Sequence, residues 1–176
     1  LTIHSSRRRF AARLNSGVRP HKPSMRYLEL RVPPVALTLI FAIAMAMTAY
    51  YLPASILVPG RLALASAFVL LGAIVALSGV IAFRNQKTTV NPLVPEQSSS
   101  LVISGIYRFS RNPMYLGFLL LLVGWCVYLS SWASALLLPV FVLYMTRFQI
   151  QPEERALKEI FGSEFSVYIR SVRRWL

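Results

Sequence analysis

The sequence predicts an all-α fold, a polytopic membrane helix bundle of about four transmembrane helices with a long cytosolic loop and C-terminal amphipathic helices. Three observations predict it. Hydrophobic residues make up 56% of the 176 and charged residues only 14%, a balance too apolar for a soluble domain of this size. Long uncharged runs alternate with basic blocks, and no residue is charged for the thirty-five positions between Arg111 and Arg147. The basic blocks fall in alternate connections, as expected of a chain that crosses a bilayer repeatedly.

The chain divides into a basic tail, 1–31, a pair of transmembrane helices within 32–83, and a core, 84–176, that holds the loop, a transmembrane hairpin and the C-terminal helices. The tail is polar, without apolar periodicity, and is expected to be mobile. Met25 fits a physiological start. A rival reading makes Met25 to about Ala49 a signal peptide, although its apolar core is longer than the ~7–15 residues of such a segment.

From Val32 to Gly60 there is no charged residue, and Pro33-Pro34 with Pro53 and Pro59 bracket a helix near Val35 to Leu52. Its length approaches the ~20 residues that cross a hydrocarbon core. Leu62 to Phe83 is a second span, with Gly72, Ala76 and Gly79 at spacings that let another helix approach closely. The run after Arg111 is long enough for two spans, Pro113 to Leu129 and Trp132 to Phe148, turned at Ser130-Ser131. Pro139 is expected to kink the last of them.

Charge gives the orientation. The first 31 residues carry eight basic side chains against Glu29, the 84–112 loop four against Glu96, and the tail from Arg147 six against four, whereas the opposite connections contain only Arg61. Both termini and the long loop are therefore expected in the cytoplasm, at a bacterial-type inner membrane or the endoplasmic reticulum. The net charge of +13 sits in blocks separated by apolar runs, not along one stripe, which favours anionic phospholipid headgroups over nucleic acid as the partner. Cys126 is the only cysteine and lies in an apolar run, so neither a disulfide framework nor a thiolate metal site is expected. The pattern predicts no bound metal.

At twenty-nine residues the 84–112 loop exceeds an ordinary connection, and long loops are commonly functional. It ends at Arg111-Asn112-Pro113, where Asn suits an N-cap and Pro the first helical position. The exposed N–H groups of that helix, with Arg111 beside them, suit a carboxylate or phosphate, and Tyr115 lies in the first turn. Pro152 marks another helix start, with Glu153 and Glu154 in its first turn. A tight hairpin would bring both ends to one membrane face. A cation, two carboxylates and aromatic rings would then surround a pocket suited to a zwitterion that carries a flat ring.

Leu101-Val102, Gly105, Tyr107, Arg111, Pro113, Tyr115 and Gly117, followed by Glu153-Glu154 with Leu157 and then Phe161-Gly162, Phe165 and Tyr168, form an ordered pattern. It resembles the isoprenylcysteine carboxyl methyltransferase and phospholipid methyltransferase superfamily over roughly residues 91–174. The resemblance implies an integral-membrane enzyme that transfers a methyl group from S-adenosyl-L-methionine to a membrane lipid or lipid-like substrate at the cytosolic face. It implies cofactor contacts at Ser99, Ser100, Leu101, Val102, Tyr107, Asn112, Pro113, Met114, Tyr115 and Glu153. Arg111 joins them as a candidate for the cofactor's carboxylate and Glu154 as a second polar contact.

Two departures stand out. Asn112 replaces the histidine common in the pattern, and Gln149 stands where carboxyl-methylating members have an arginine. Arg147, two positions earlier, and Gln149 are the candidate substrate contacts. No nucleophilic residue is expected, because an already activated methyl group needs chiefly alignment and exclusion of water.

Beyond Glu154 the chain reads as an amphipathic helix through Leu157, Ile160 and Phe161, ended by Gly162, and a second through Phe165, Tyr168 and Val172. Arg170, Arg173 and Arg174 are expected to face headgroups. The tail could lid the pocket or anchor the protein at the surface. Two other functions remain open: a non-enzymatic scaffold or transporter subunit, and a sterol-reductase-like enzyme using NADPH. The methyl acceptor, O- versus N-methylation and the oligomeric state are not legible.

Overall fold

The structure, a computed structural model, describes residues 29–52, 55–85 and 101–176. The expectations for the start at Met25 and for Ser99 and Ser100 lie outside the described residues.

Helix α1, Pro34–Tyr51, begins with proline at a position whose N–H would have no partner anyway, and Thr38 Oγ1 donates back to the Pro34 carbonyl at 2.8 Å. It stops at Leu52 because a residue before proline is pushed out of the helical region. Helix α2, Arg61–Asn85, follows a Val58-Pro59-Gly60-Arg61 turn closed by the Arg61 N–H on the Val58 carbonyl, with Gly60 at φ 65°.

Helix α3, Pro113–Leu129, lies between α2 on one side and α1 on the other. Its contact with α2 is a seam of small residues seven apart: Ala65, Gly72 and Gly79 on α2, Gly117 and Gly124 on α3. A Cβ placed on Gly117 would come within 2.6 Å of the Gly72 carbonyl oxygen, and one on Gly72 within 2.8 Å of the Gly117 oxygen. Lipid tails are as apolar as the side chains, so burying apolar area drives helix association weakly, and this backbone-to-backbone packing does the holding.

On its other face α3 shares a core with α1 and the last span: Leu37, Met45, Tyr115, Leu122, Phe141, Met145 and Ile150. Phe41 meets Phe141 edge to face at 5.3 Å. The Trp125 indole donates to the Ala42 carbonyl at 2.9 Å and the Ser134 hydroxyl to the Met45 carbonyl at 2.8 Å, so polar groups at membrane depth have partners. The outer faces carry Leu39, Ile43, Leu70, Ile74, Ile81 and Leu143 exposed, the inverse of a soluble protein's pattern.

Ser130 turns the hairpin in the left-handed region at φ 51°, and its carbonyl takes the Ile56 N–H at 2.8 Å, placing both short connections at one end of the bundle. The last span is α4, Trp132–Ala135, then α5, Leu137–Met145, broken at Leu136. Pro139 cannot donate to the Ala135 carbonyl, and Leu136 at that interruption keeps helical dihedrals, φ −63° and ψ −19°.

One expectation fails here. Pro152 does not start a separate helix: α5 continues through a π turn, Thr146–Ile150, into α6, Gln151–Ser171. The wider turn makes room for the proline ring, and the Phe148 carbonyl that Pro152 leaves free accepts the Leu30 N–H at 3.1 Å. Glu153 and Glu154 thus occupy the first turn of α6, but on a continuous helical rod without an exposed N-terminus. Gly162, at φ 50°, divides α6 into two limbs as expected, and Phe165, Tyr168 and Val172 form a second small core with Leu101, Leu157 and Phe161. Residues 172–176 then fold back over the start of α3.

Among the described residues three helical stretches are long and apolar enough to cross a membrane, with Pro113–Leu129 a shorter apolar fourth, so the chain is an integral-membrane helical bundle.

Candidate active site

The site lies at the end of the bundle where α3 begins, the π turn passes into α6, and residues 101–112 pack against both. A 3₁₀ turn, Gly105–Arg108, becomes possible because Gly105 takes φ 61°. It buries Tyr107, whose ring meets Phe83 of α2 at 5.4 Å and whose carbonyl accepts the Tyr168 hydroxyl at 2.7 Å. Three elements therefore hold this one tyrosine. Burial pushes the Tyr107 hydroxyl's pKa up, and the nearby Tyr168 and Glu153 push it further in the same direction.

Tyr115, 3% exposed, donates from its hydroxyl to Glu153 Oε1. Burial raises the Glu153 carboxyl to about 8; the Tyr115 hydrogen bond opposes that rise and Glu154 adds to it. The expected meeting of the α3 first turn with Glu153 is thus present, together with Tyr107. Glu154 points elsewhere. Its Oε1 lies 3.1 Å from Arg111 Nη2 and accepts Arg174 Nε at 3.1 Å, while its Oε2 accepts Arg174 Nη2 at 2.6 Å. Two guanidinium groups share one carboxylate, leaving an excess positive charge. Arg111 Nε is buried without a hydrogen-bond partner among the described residues.

Several side chains do other work than their motif positions suggested. Asn112 stands before α3 but does not cap it: its φ of −131° and ψ of 57° turn the amide away, and Nδ2 donates to the Arg174 carbonyl at 2.9 Å. Pro113 is buried, and the Met114 side chain packs on α2 at Gly79 instead of facing the tyrosines. Leu101 packs against the second limb of α6, and Val102 is buried.

Arg147 and Gln149, expected at a substrate headgroup, instead bind the segment that leads into α1. Arg147 Nη1 reaches Glu29 Oε1 at 3.2 Å, and Arg155 Nη2 reaches Glu29 Oε2 at 2.5 Å. Gln149 is 0% exposed and donates to the Val32 carbonyl at 2.8 Å, while its Oε1 has no partner among the described residues.

Sequence reasoning missed Arg174, which it turned toward headgroups, and Trp175, whose indole donates to Thr146 Oγ1 at 3.1 Å. A short tail without periodicity gives no signal of where it docks. The one hint was a tryptophan directly after two arginines in a chain with six acids. Among the described residues no group of three or more histidine, cysteine or acidic side chains is arranged to hold a metal ion.

An apolar helical bundle with a compact array of ionic and aromatic side chains defines an integral-membrane protein with a polar site at one end of its helices. The chain belongs to the phospholipid methyltransferase family, whose model matches residues 60–164. It is 41% identical over 63 residues to an uncharacterized protein of Haemophilus influenzae, covering 36% of this chain and all of that one. It is also 32% identical over 104 residues to protein-S-isoprenylcysteine O-methyltransferase B of Arabidopsis thaliana, 59% of this chain and 53% of the relative. A probable protein-S-isoprenylcysteine O-methyltransferase of Oryza sativa subsp. indica matches at 32% over 111 residues, 61% and 56% of the two chains. The chain spans about half the length of these plant relatives. No solved structure matches it.

Proposed function

We propose that the chain is an S-adenosyl-L-methionine-dependent methyltransferase that acts on a lipid-like acceptor at the cytosolic face of the membrane. One observation carries the reading: the Tyr115–Glu153 pair and the Arg111–Glu154–Arg174 array stand side by side, offering a carboxylate to a cation and a guanidinium to an anion. Adenosylmethionine carries an ammonium, a carboxylate and an adenine ring, and each has a counterpart here. The buried, unpartnered Arg111 Nε is the donor a carboxylate would satisfy, and a buried polar atom without a partner costs about 1–3 kcal/mol. Glu153 suits the ammonium, and Tyr107 and Tyr115 supply aromatic walls.

The cofactor supplies an activated methyl group on a sulfonium. The chain's contribution is placement: Tyr115 orients the Glu153 carboxylate, the 3₁₀ turn and the second limb of α6 exclude water, and the exposed apolar helix faces lead an amphiphile from the bilayer. The named plant relatives, and the family itself, support a lipid-like acceptor.

Calorimetry of the purified protein with adenosylmethionine, with its demethylated product and with NADPH tests the reading. Micromolar binding of the first two is expected. Binding of NADPH alone would replace this reading with a reductase. Incubating membranes with methyl-labelled adenosylmethionine and separating the lipids then identifies the acceptor by the fraction that gains label.

A further inference from the structure

Arg174 belongs to no helix of the bundle, yet the last residues of the chain are tied to the candidate site at four points. The Arg111 N–H donates to the Arg173 carbonyl at 3.0 Å, Asn112 Nδ2 to the Arg174 carbonyl at 2.9 Å, and the Trp175 indole to Thr146 at 3.1 Å. The Arg174 guanidinium itself grips Glu154 with two hydrogen bonds, Nε to Oε1 and Nη2 to Oε2. Val172 is buried behind it.

The division of Glu154 between two arginines has a chemical consequence. An unshared carboxylate takes a guanidinium by its fork, using Nε and one Nη together. Arg174 has that bidentate geometry here, so Arg111 reaches only Oε1, through Nη2, and keeps Nε free. Without Arg174, Glu154 could close on Arg111 with both oxygens. The donor proposed for an incoming carboxylate would then be consumed inside the protein.

Resting on the adenosylmethionine reading, we infer that Arg174 is a positioning residue: by occupying Glu154 it keeps Arg111 available to the cofactor's carboxylate. It acts through Glu154 and touches no reacting atom. The C-terminal tail is on this view part of the cofactor site.

The test compares adenosylmethionine with its decarboxylated analogue, which keeps the sulfonium, the amine and the adenosyl group and lacks only the anion. Affinities are measured by calorimetry on the full chain, wild type against Arg174→Gln and Arg174→Lys. Arg174→Gln is expected to weaken adenosylmethionine about tenfold or more and the analogue less than about threefold, the size of one charge-assisted hydrogen bond lost to an anion. Arg174→Lys, which restores the charge without the fork, should recover part of the difference. In turnover the loss should appear in KM for adenosylmethionine, with kcat at saturation changed far less. Equal weakening of both ligands, or no weakening of either, would overturn the inference. Should Arg174→Gln melt early, Arg174→Lys decides, because it too must weaken adenosylmethionine more than the analogue. If the wild type binds neither ligand, the methyltransferase reading fails and takes this inference with it; binding by the wild type with unselective loss in the variants defeats the inference alone.

Discussion

The Tyr115 hydroxyl donates to the Glu153 carboxylate, joining the first turns of α3 and α6 across 38 residues of sequence. The pair sits beyond the membrane-crossing part of the last span, and burial has moved Glu153 toward its neutral form. Its folded pKa of about 8 lies above the ordinary 4.5, so the stability tied to this group is fully present below the lower value. That stability is lost as pH rises toward and through 8. As an upper bound, the loss approaches ~1.4 kcal/mol for each pH unit that separates the two values. Thermal melting from pH 5 to 9 should show the wild type losing stability with rising pH, and Glu153→Gln should flatten the dependence. A wild-type curve as flat as the variant's would refute the assignment.

The raised carboxyl pKa also predicts proton release. A cationic ammonium beside Glu153 favours the ionised carboxylate, so adenosylmethionine binding near pH 7 should expel a proton and tighten as pH rises toward 8. Calorimetry in two buffers of different ionisation enthalpy reads this directly, since the apparent binding enthalpy changes by the difference for each proton released. Tyr115→Phe removes the hydrogen bond that lowers the Glu153 pKa, so it should raise the proton count at a fixed pH. Identical enthalpies in both buffers would place the ammonium elsewhere.

Much of this architecture is legible in the sequence because membrane crossing imposes coarse rules. Uncharged runs delimit the spans, Pro33-Pro34 and Pro53 bracket α1, and Ser130-Ser131 places the hairpin turn. Hairpin topology brings the start of α3 and Glu153 to one face, while the particular Tyr115–Glu153 bond depends on the π turn that the sequence does not announce. Local rules failed where a distant segment competes for the same atoms. Asn112 has the chemistry of an N-cap, but the tail's Arg174 carbonyl takes its amide. Pro152 has the look of a helix start, but the Leu30 N–H takes up the carbonyl that the proline frees, and the helix runs on. Neither partner has a sequence spacing that could announce it.

The seam between α2 and α3 predicts a sharp contrast among glycines. Gly117→Ala places a methyl group 2.6 Å from the Gly72 oxygen and 2.7 Å from Ala76 Cβ, so the helices must part. The expected loss is about 1–3 kcal/mol, the usual cost of overpacking. Gly105→Ala meets nothing within 4 Å but keeps φ 61°, and should cost about 1–2 kcal/mol through backbone strain alone. Combining Gly117→Ala with Gly72→Ala should cost less than the sum, because one separation relieves both. Additive losses in detergent melting would argue against a shared seam.

Arg147 is paired with Glu29 in a partly exposed ion pair, and such pairs are worth about 0–1 kcal/mol. Arg147→Ala should therefore leave the acceptor KM within about twofold and lower stability by no more than that range, with the difference shrinking in high salt. A large rise in acceptor KM would restore Arg147 to the substrate site, where its position in the sequence first placed it.

The π turn sets the angle at which α6 presents Glu153. A π turn carries one residue more than an α turn, and one residue rotates everything after it by about 100° around the helix axis. Tyr115 is fixed by α3 and cannot follow such a rotation. Pro152 keeps the turn wide, since its ring excludes an ordinary bond to the Phe148 carbonyl, and Leu30 holds that carbonyl from outside. Pro152→Ala restores the N–H and lets the α-helical bond compete with Leu30. Methyl transfer should fall severalfold, while thermal stability changes by less than about 1 kcal/mol, because an internal hydrogen bond replaces the lost one. Unchanged activity in a stably folded Pro152→Ala variant would show that the wide turn does not govern the placement of Glu153.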